Sequence, residues 1–190
     1  QSLDAVPLAS AISADYPAIA KTLRALSITL HGNAFGKLDG QLRRLANSLK
    51  ALEGETRQPW QPLLIDALAR FHRHLNQPSL AHRLVALADM RAQRHQYGLA
   101  ILALAEAATA LSCPEPVDSF EAMQEAGRRF SDTLDKKQRQ EWKYLFQARN
   151  RIAHGANLVE QKGQINEQNL AASYERCLNL LRPLLRGPLP

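Results

Sequence analysis

The sequence predicts an all-α protein, an antiparallel helical bundle of about seven to eight helices. Leucine, alanine, arginine and glutamine are abundant, whereas aromatic residues make up only 6% of the 190 residues, and this composition favours helices. Apolar residues recur at intervals of three and four along most of the chain, which is the period of an amphipathic helix. Away from Gly163 no segment alternates as a strand does, and the connections are short.

The N-terminal third predicts two amphipathic helices. Residues 1–13 are expected to form a lead-in segment or a short helix. Apolar residues at helical spacing predict a helix over 16–31, and the glycines of 31–36 predict a turn. A leucine stripe over 38–52 predicts the second helix, with Gly54 as its C-terminal cap.

The middle of the chain predicts three further helices. "QPWQP" (58–62) opens the first of them, since proline is tolerated in a first turn. Ser79 is a typical N-cap for the next helix, which is expected to run to about Gln96. The apolar run 97–111 predicts a buried helix, and "CPEPVDS" (113–119) predicts a loop.

Three helices are expected in the last third of the chain. Asp118 or Ser119 begins one, and Asp135 begins another that ends near Gly155. A last helix is predicted over about 167–181, where Pro183 ends or kinks it. Between these helices, residues 157–166 are expected to form a hairpin-like excursion or a loose loop, with Gly163 at the tip.

The length suits one helical domain over 1–190. Within it we expect residues 1–57 to be an N-terminal elaboration and residues 60–182 to be the core that carries the motif described below. The chain begins at Gln1 rather than Met, as expected of a segment cut from a longer protein with its upstream domain missing.

Charge and cysteine content indicate a basic cytoplasmic protein. Lysine and arginine total 24 against 18 acidic residues, and the net charge of +6 suits a polyanionic partner. Cys113 and Cys177 show no metal-binding spacing and are expected to be reduced thiols, with a single disulfide left open. No apolar run reaches the roughly 20 residues of a membrane helix, and no signal peptide is evident. We expect no metal and no cofactor.

The stretch "ARNRIAHG" (148–155) is the strongest functional signal. Arg149 follows Trp142 by seven residues, which places it within about 20° of the same helix face. That face carries the apolar stripe, so Arg149 interrupts a surface that should pack. Its guanidinium then needs a carboxylate, a partner chain or an anion. Glu106, in the apolar run, is expected to be a buried partner for an arginine near this motif.

His154 is expected to act at the end of this helix. Asn150 and His154 are four residues apart and share a flank, whereas Arg149 and His154 lie about 140° apart on an ideal helix. Gly155 can end the helix there and give the histidine freedom. We expect the C-terminal end of the helix dipole to raise the pKa of His154.

Basic residues before His154 predict an RNA-binding surface. We expect Arg139, Lys143 and Arg151 to contact the phosphate backbone of RNA, because lysine and arginine neutralise phosphates and release counterions. A solvated helix face also explains Lys136, Lys137 and Arg139 well, but it explains Arg149 poorly.

The segment "RNRIAHG" (149–155) resembles the Arg-x4–6-His motif of HEPN domains, in the form Arg-Asn-x-x-x-His. The motif lies late in an all-helical domain with one strong helix after it, as in that family. The segment "HQYGLAILALAEAATAL" (95–111) is similar to a helix of CRISPR-associated HEPN proteins, with its tyrosine, alanine-rich run and Glu-Ala pair. The resemblance covers about residues 60–182.

This resemblance implies a metal-independent endoribonuclease of CRISPR antiviral defence that cleaves single-stranded RNA. Two HEPN domains pair so that both motifs line one cleft, which implies a homodimer. Arg149 would stabilise the scissile phosphate, and His154 would act as general acid or base while the ribose 2′-OH attacks. Asn150 would position the arginine, the histidine or the RNA.

In the type III CRISPR ancillary ribonucleases that the chain resembles, a sensor domain for cyclic oligoadenylate precedes the HEPN domain. No strand–helix pattern of that kind precedes the bundle here, so either the sensor domain was removed or the chain resembles a stand-alone HEPN protein. Cyclic oligoadenylate would act only through a domain not seen in this chain. The alternative function is a non-catalytic HEPN-like helical module that binds RNA or a protein partner.

Overall fold

The computed structural model describes residues 5–31, 35–52, 58–113, 119–154 and 169–186, with Phe120 and His154 described by their backbone alone. Every regular element in these ranges is helical, which confirms the predicted all-α fold. The predicted features at Gly54, residues 114–118, Gly155 and Gly163 lie outside the described residues. None of the described helices has the length and apolar character needed to cross a bilayer.

The chain divides into two compact units, residues 1–77 and 78–190. The N-terminal unit contains α1 (Val6–Ala11), α2 (Pro17–His31), a short 3-10 turn (Phe35–Lys37), α3 (Leu38–Lys50) and α4 (Gln61–Leu75). The C-terminal unit contains α5 (Leu80–Ala92), α6 (Tyr97–Ser112), α7 (Phe120–Thr133), α8 (Lys136–His154) and α9 (Leu170–Arg186).

In the N-terminal unit α3 packs against both α2 and α4. Its leucines Leu38, Leu42 and Leu45 are almost fully buried, as the predicted stripe requires. The Tyr16 hydroxyl donates a hydrogen bond of 2.6 Å to the buried Gln61 Oε1, which satisfies a polar group in this core. The boundary therefore differs from the prediction: α4 belongs to the N-terminal unit, because its apolar face packs on α3, and not to a core over 60–182.

Helix α6 is the central element of the C-terminal unit. It packs against α5, α7, α8 and α9, so it is covered on several sides. Its alanines Ala100, Ala103 and Ala107 have at most 1% of their surface exposed, and Ile101 and Leu104 are fully buried. Small side chains on several faces let neighbouring helices approach closely, which explains why this run is apolar with little amphipathic pattern.

Polar caps fix the ends of the helices that surround α6. The hydroxyls of Ser79 and Ser119 accept hydrogen bonds from the first turns of α5 and α7, which confirms Ser79 as a cap and selects Ser119 over Asp118. Asp135 and Gln138 form a reciprocal capping box at the start of α8, with N···O distances of 2.8 and 3.1 Å. The register of α8 is thereby set at its first turn.

Two predicted helix ends are wrong. Helix α5 ends at Ala92, not Gln96, because His95 has a positive φ of 58° and forms a left-handed C-terminal turn. Helix α9 runs through Pro183 to Arg186 rather than stopping near Leu181. Pro183 and Asn179, whose carbonyl loses its helical donor, both lie on the exposed face, where water can satisfy that carbonyl.

No disulfide joins Cys113 and Cys177, and their environments differ. Cys177 of α9 is 1% exposed, whereas Cys113 is half-buried at the end of α6. Burial raises the pKa of the Cys177 thiol to about 12, because the low-polarity core disfavours the thiolate. The thiolate is the reactive form of cysteine, so Cys177 is predicted to be inert in the folded protein.

We predict that a thiol reagent at pH 8 labels native Cys113 at least about a hundredfold faster than Cys177. Mass spectrometry after timed quenching measures the two rates. Labelling in urea should abolish the difference, since unfolding returns the Cys177 pKa to its ordinary range. Equal rates in the native protein would contradict the burial of Cys177.

Candidate functional site at the cleft between α6, α7 and α8

Helix α8 carries the motif on a stripe that is buried along most of its length. Trp142, Leu145 and Ala148 are buried, and Phe146 is half-buried. Arg149 lies on the same side, as its spacing from Trp142 predicts, with 41% of its side chain exposed. Arg149 therefore lies at the point where the apolar stripe becomes exposed to solvent.

Arg149 reaches solvent at a cleft of about 530 Å³. Three helices of the C-terminal unit form its walls: α6, α7 and α8. The lining residues are Ala105, Glu106, Thr109, Ser112, Met123, Gln124, Gly127, Trp142, Phe146, Arg149 and Asn150. The volume falls in the range typical of sites for small organic groups.

Two side chains hold the Arg149 guanidinium at this cleft. Its Nη1 donates to Oδ1 of Asn150 at 3.2 Å, and its Nη2 lies 3.8 Å from Oε1 of Glu106. A guanidinium carries five N–H donors, so these contacts leave donors available for an anion. Of the three roles expected for Asn150, the structure therefore shows the contact with the arginine.

Glu106 is the arginine's partner that the sequence predicted, but it is not buried. Its side chain is 35% exposed and faces the cleft from α6. Helix α7 packs against α6 and lines the same cleft with Met123, Gln124 and Gly127. At 3.8 Å the pair is an ion pair without a short hydrogen bond, and both partners remain in contact with solvent.

His154 is the last residue of α8, five positions after Arg149. The side chain of His154 and the whole of Gly155 lie outside the described part of the structure. The joint action of Arg149 and His154, and a raised pKa of the imidazole, therefore stay predictions. Positions 150 and 154 lie on one flank of α8, since they are four residues apart.

The same flank of α8 carries lysines before the motif. Lys136, Lys143 and Asn150 follow one another at intervals of seven residues, which places them in one row along the helix. Lys136 and Lys143 line a shallow groove of about 280 Å³ with Arg139 and Gln140. Cationic side chains thus lead along α8 to the motif, as a phosphate backbone requires.

Arg139, which the sequence predicts to bind RNA, makes three hydrogen bonds within the protein, and its contact with RNA stays a prediction. Its Nε donates to the carbonyl of Ser131 at 3.1 Å, and its Nη2 donates to the carbonyls of Asp132 and Leu134 at 3.1 Å each. These carbonyls lie at the C-terminal end of α7, where helix carbonyls lack intrahelical donors, so Arg139 caps that end. Arg139 therefore ties α7 to α8 and sets one wall of the cleft.

Sequence reasoning did not find the contribution of α7 to this site. Met123, Gln124 and Gly127 line the cleft opposite Arg149 but follow no recognisable motif. They come together with α8 only through the packing of the two helices. Tyr144 of α8 donates to Ser173 Oγ at 2.9 Å, and its ring lies beneath the guanidinium of Arg176.

No protein-family model, curated protein or solved structure matches this chain. Within the described ranges, no three histidine, cysteine or acidic side chains lie close enough together to hold a metal ion.

We predict that Arg139→Lys destabilises the protein nearly as much as Arg139→Ala, by about 1–3 kcal/mol, because lysine keeps the charge but cannot reach three carbonyls. Urea unfolding measures the change. Lys136→Ala, in the same groove, is the matched control and should change stability by less than about 0.5 kcal/mol. If Arg139→Lys is as stable as the parent, the carbonyl contacts contribute little.

We also predict that the Glu106–Arg149 pair contributes little to folding. Both side chains are more than one-third exposed. Glu106→Gln and Arg149→Gln should therefore each change the free energy of unfolding by less than about 1 kcal/mol. A double-mutant cycle in urea measures the coupling between them. A coupling above about 2 kcal/mol would mean that the pair exists to hold α6 against α8.

Proposed function

We propose that this protein is a metal-independent endoribonuclease of the HEPN type, which cleaves single-stranded RNA at a site completed by a second copy of the chain. One observation carries the proposal: Arg149 is held at the mouth of a cleft by Asn150 and Glu106, on the helix that ends at His154. This helix offers a cation for a phosphate and, five residues further on, a histidine able to transfer protons.

The chemistry needs no nucleophile from the protein. The ribose 2′-OH attacks the adjacent phosphorus, and its proton passes to a base. The bond to the 5′-oxygen breaks, and an acid supplies that oxygen with a proton, which leaves a 2′,3′-cyclic phosphate and a 5′-OH. Arg149 stabilises the charge that develops on the phosphate, and His154 transfers protons near neutral pH.

In this proposal a second copy of the chain is needed to bring an arginine and a histidine to the same phosphate. Positions 149 and 154 are about 140° apart around α8, so one ideal helix does not direct both towards one phosphate. Two α8 helices facing each other would bring an arginine and a histidine to the same point. The exposed Arg149 on a largely apolar stripe suits such a composite site.

Substrate binding is electrostatic in this proposal. Lys136, Lys143 and Arg151 provide positive charge along α8, in a chain of net charge +6. They contact the backbone and not the bases, so they bind RNA without sequence preference. Arg139 is left out of this set because its donors close the end of α7. We place the activity in the cytoplasm and in CRISPR antiviral defence, as the resemblance to HEPN proteins implies.

A second candidate is a non-catalytic helical module that binds RNA or a protein partner. Glu106 favours it, because its carboxylate lies 3.8 Å from the arginine that a scissile phosphate would need. A carboxylate there competes with phosphate and weakens the cation. The two candidates differ in whether covalent cleavage occurs.

We predict that the protein cleaves single-stranded RNA in EDTA and leaves 2′,3′-cyclic phosphate ends. Arg149→Ala and His154→Ala should each lower the rate by about a hundredfold or more, because each removes stabilisation or proton transfer in the transition state. Denaturing gels give the rates, and mass spectrometry of the fragments identifies the ends.

Matched controls are available in the other unit of the chain. Arg43→Ala removes a surface arginine whose side chain is 77% exposed, and His72→Ala removes a histidine from α4. Both controls should cleave at the parent rate. Cleavage that survives both motif changes would overturn the assignment of the site, and binding without any cleavage would favour the non-catalytic module.

A further inference from the structure

The cleft beside Arg149 is larger than a phosphate needs. Arg149 and Asn150 supply the lining from the motif, whereas α6 and α7 supply most of the remainder. A volume of about 530 Å³ accommodates a flat ring system together with its sugar. The part of the cleft beyond Arg149 therefore has room for a group other than the scissile phosphate.

The floor of the cleft is aromatic. The rings of Phe130, Trp142 and Phe146 follow one another with centroid separations of 5.0 and 5.5 Å. Trp142, which is buried, and Phe146, which is half-buried, line the cleft, and the buried Phe130 packs against Trp142 without lining the cleft. Met123 faces this floor from α7. Such a surface favours a planar, polarisable ring, since aromatic stacking tolerates any nucleobase.

Polar groups surround this apolar floor. Glu106 provides a carboxylate from α6, and Gln124 provides an exposed side-chain amide from α7. Glu106 and Arg149 bring one negative and one positive charge, so the cleft does not suit a second phosphate. The carboxylate and the amide can instead meet the hydrogen-bonding edge of a base.

We infer that the cleft between α6, α7 and α8 binds one nucleobase of a single-stranded RNA, with its sugar-phosphate directed towards Arg149. The base stacks on Phe146 and meets Glu106 and Gln124 at its edge. This inference rests on the proposed function, because it assigns to the same RNA the nucleotide next to the phosphate that is cut.

The Glu106 carboxylate is expected to make the four bases bind with different affinities. Adenine, guanine and cytosine each present an exocyclic amino group, which can donate to Glu106. Uracil presents a single N–H between two carbonyl oxygens, and these oxygens are repelled by a carboxylate. Uridine nucleotides are therefore expected to bind weakest, and Glu106→Gln is expected to remove that bias by offering a donor in place of one acceptor.

Gly127 offers a way to close the cleft. A Cβ atom at this position would meet only Ser112 Oγ, at 3.9 Å, so the space above it is open. Gly127→Leu adds a side chain to the lining of the cleft, in a helix where leucine is favoured over glycine. Gly40→Leu is the matched control, because a Cβ on that α3 glycine meets nothing within 4 Å and it lies in the other unit.

The test is a fluorescence titration in a Trp60→Phe background, in which Trp142 is the only tryptophan. Nucleoside 3′-monophosphates of the four bases are added, with inorganic phosphate as the base-free probe. We expect saturable quenching with uridine weakest, and about tenfold weaker binding in Gly127→Leu but unchanged binding in Gly40→Leu. Equal responses to phosphate and to all four nucleotides would overturn the inference.

A second arm separates RNA from free nucleotides and separates this inference from catalysis. RNA with 2′-O-methyl groups cannot be cut, so oligoadenylate and oligouridylate of this kind report binding alone. We expect the same base ranking with them. Response to free monophosphates but not to this RNA would overturn the RNA-base assignment.

Whether the protein cleaves RNA is measured separately from the binding of nucleotides and of 2′-O-methyl RNA. A protein that never cuts RNA but ranks the bases as expected keeps the base site and loses the ribonuclease. A protein that cuts RNA, while nucleotides of all four kinds leave Trp142 unquenched, keeps the ribonuclease and loses the base site. If Gly127→Leu fails to fold, Glu106→Gln replaces it, and an unchanged base ranking in Glu106→Gln counts against the inference.

Discussion

The packing of α6 at the centre of the C-terminal unit is the constraint on which the candidate site depends. Its alanines let α5, α8 and α9 approach closely, while its one acidic residue, Glu106, faces the cleft. A larger residue at Ala103 or Ala107 would separate these helices, because protein interiors have no free volume for it. The cleft is what remains where α7 and α8 meet α6 without filling the space between them.

Two polar arrangements then set the helices that frame this cleft. The capping box of Asp135 and Gln138 fixes where α8 begins, and Arg139 closes the end of α7 from the first turn of α8. Each uses hydrogen-bonding groups that a helix end would otherwise leave to water. The position of Arg149, four turns further along α8, follows from these contacts.

The site places two charged side chains, Arg149 and Glu106, on helix surfaces that are otherwise apolar. An arginine on an apolar stripe and a carboxylate in an apolar helix both weaken the packing that each helix would otherwise have. They lie 3.8 Å apart and are exposed by 41% and 35%, so the pair remains partly hydrated. A partly hydrated pair can exchange partners with an incoming ligand at lower cost than a buried pair, which suits a binding site better than a structural contact.

The helices, two of their N-terminal caps and the position of Arg149 could be predicted from the amino-acid sequence. Helical periodicity located the apolar faces, Ser79 and Asp135 located helix starts, and the spacing of Trp142 and Arg149 placed the arginine on the stripe. These features depend on local geometry and capping, so they can be read from neighbouring residues. The contacts of Arg139 could not be predicted in this way, because they join its guanidinium to carbonyls at the end of another helix.

The division into two units and the set of residues that line the cleft depend on tertiary packing. Helix α4 packs with α3, and Met123, Gln124 and Gly127 of α7 come to face Arg149 of α8. These relations depend on which apolar faces meet, and amphipathic helices of similar composition carry no local signal for their partners. The motif supplied the arginine and the asparagine, and the packing of α6, α7 and α8 supplied the space beside them.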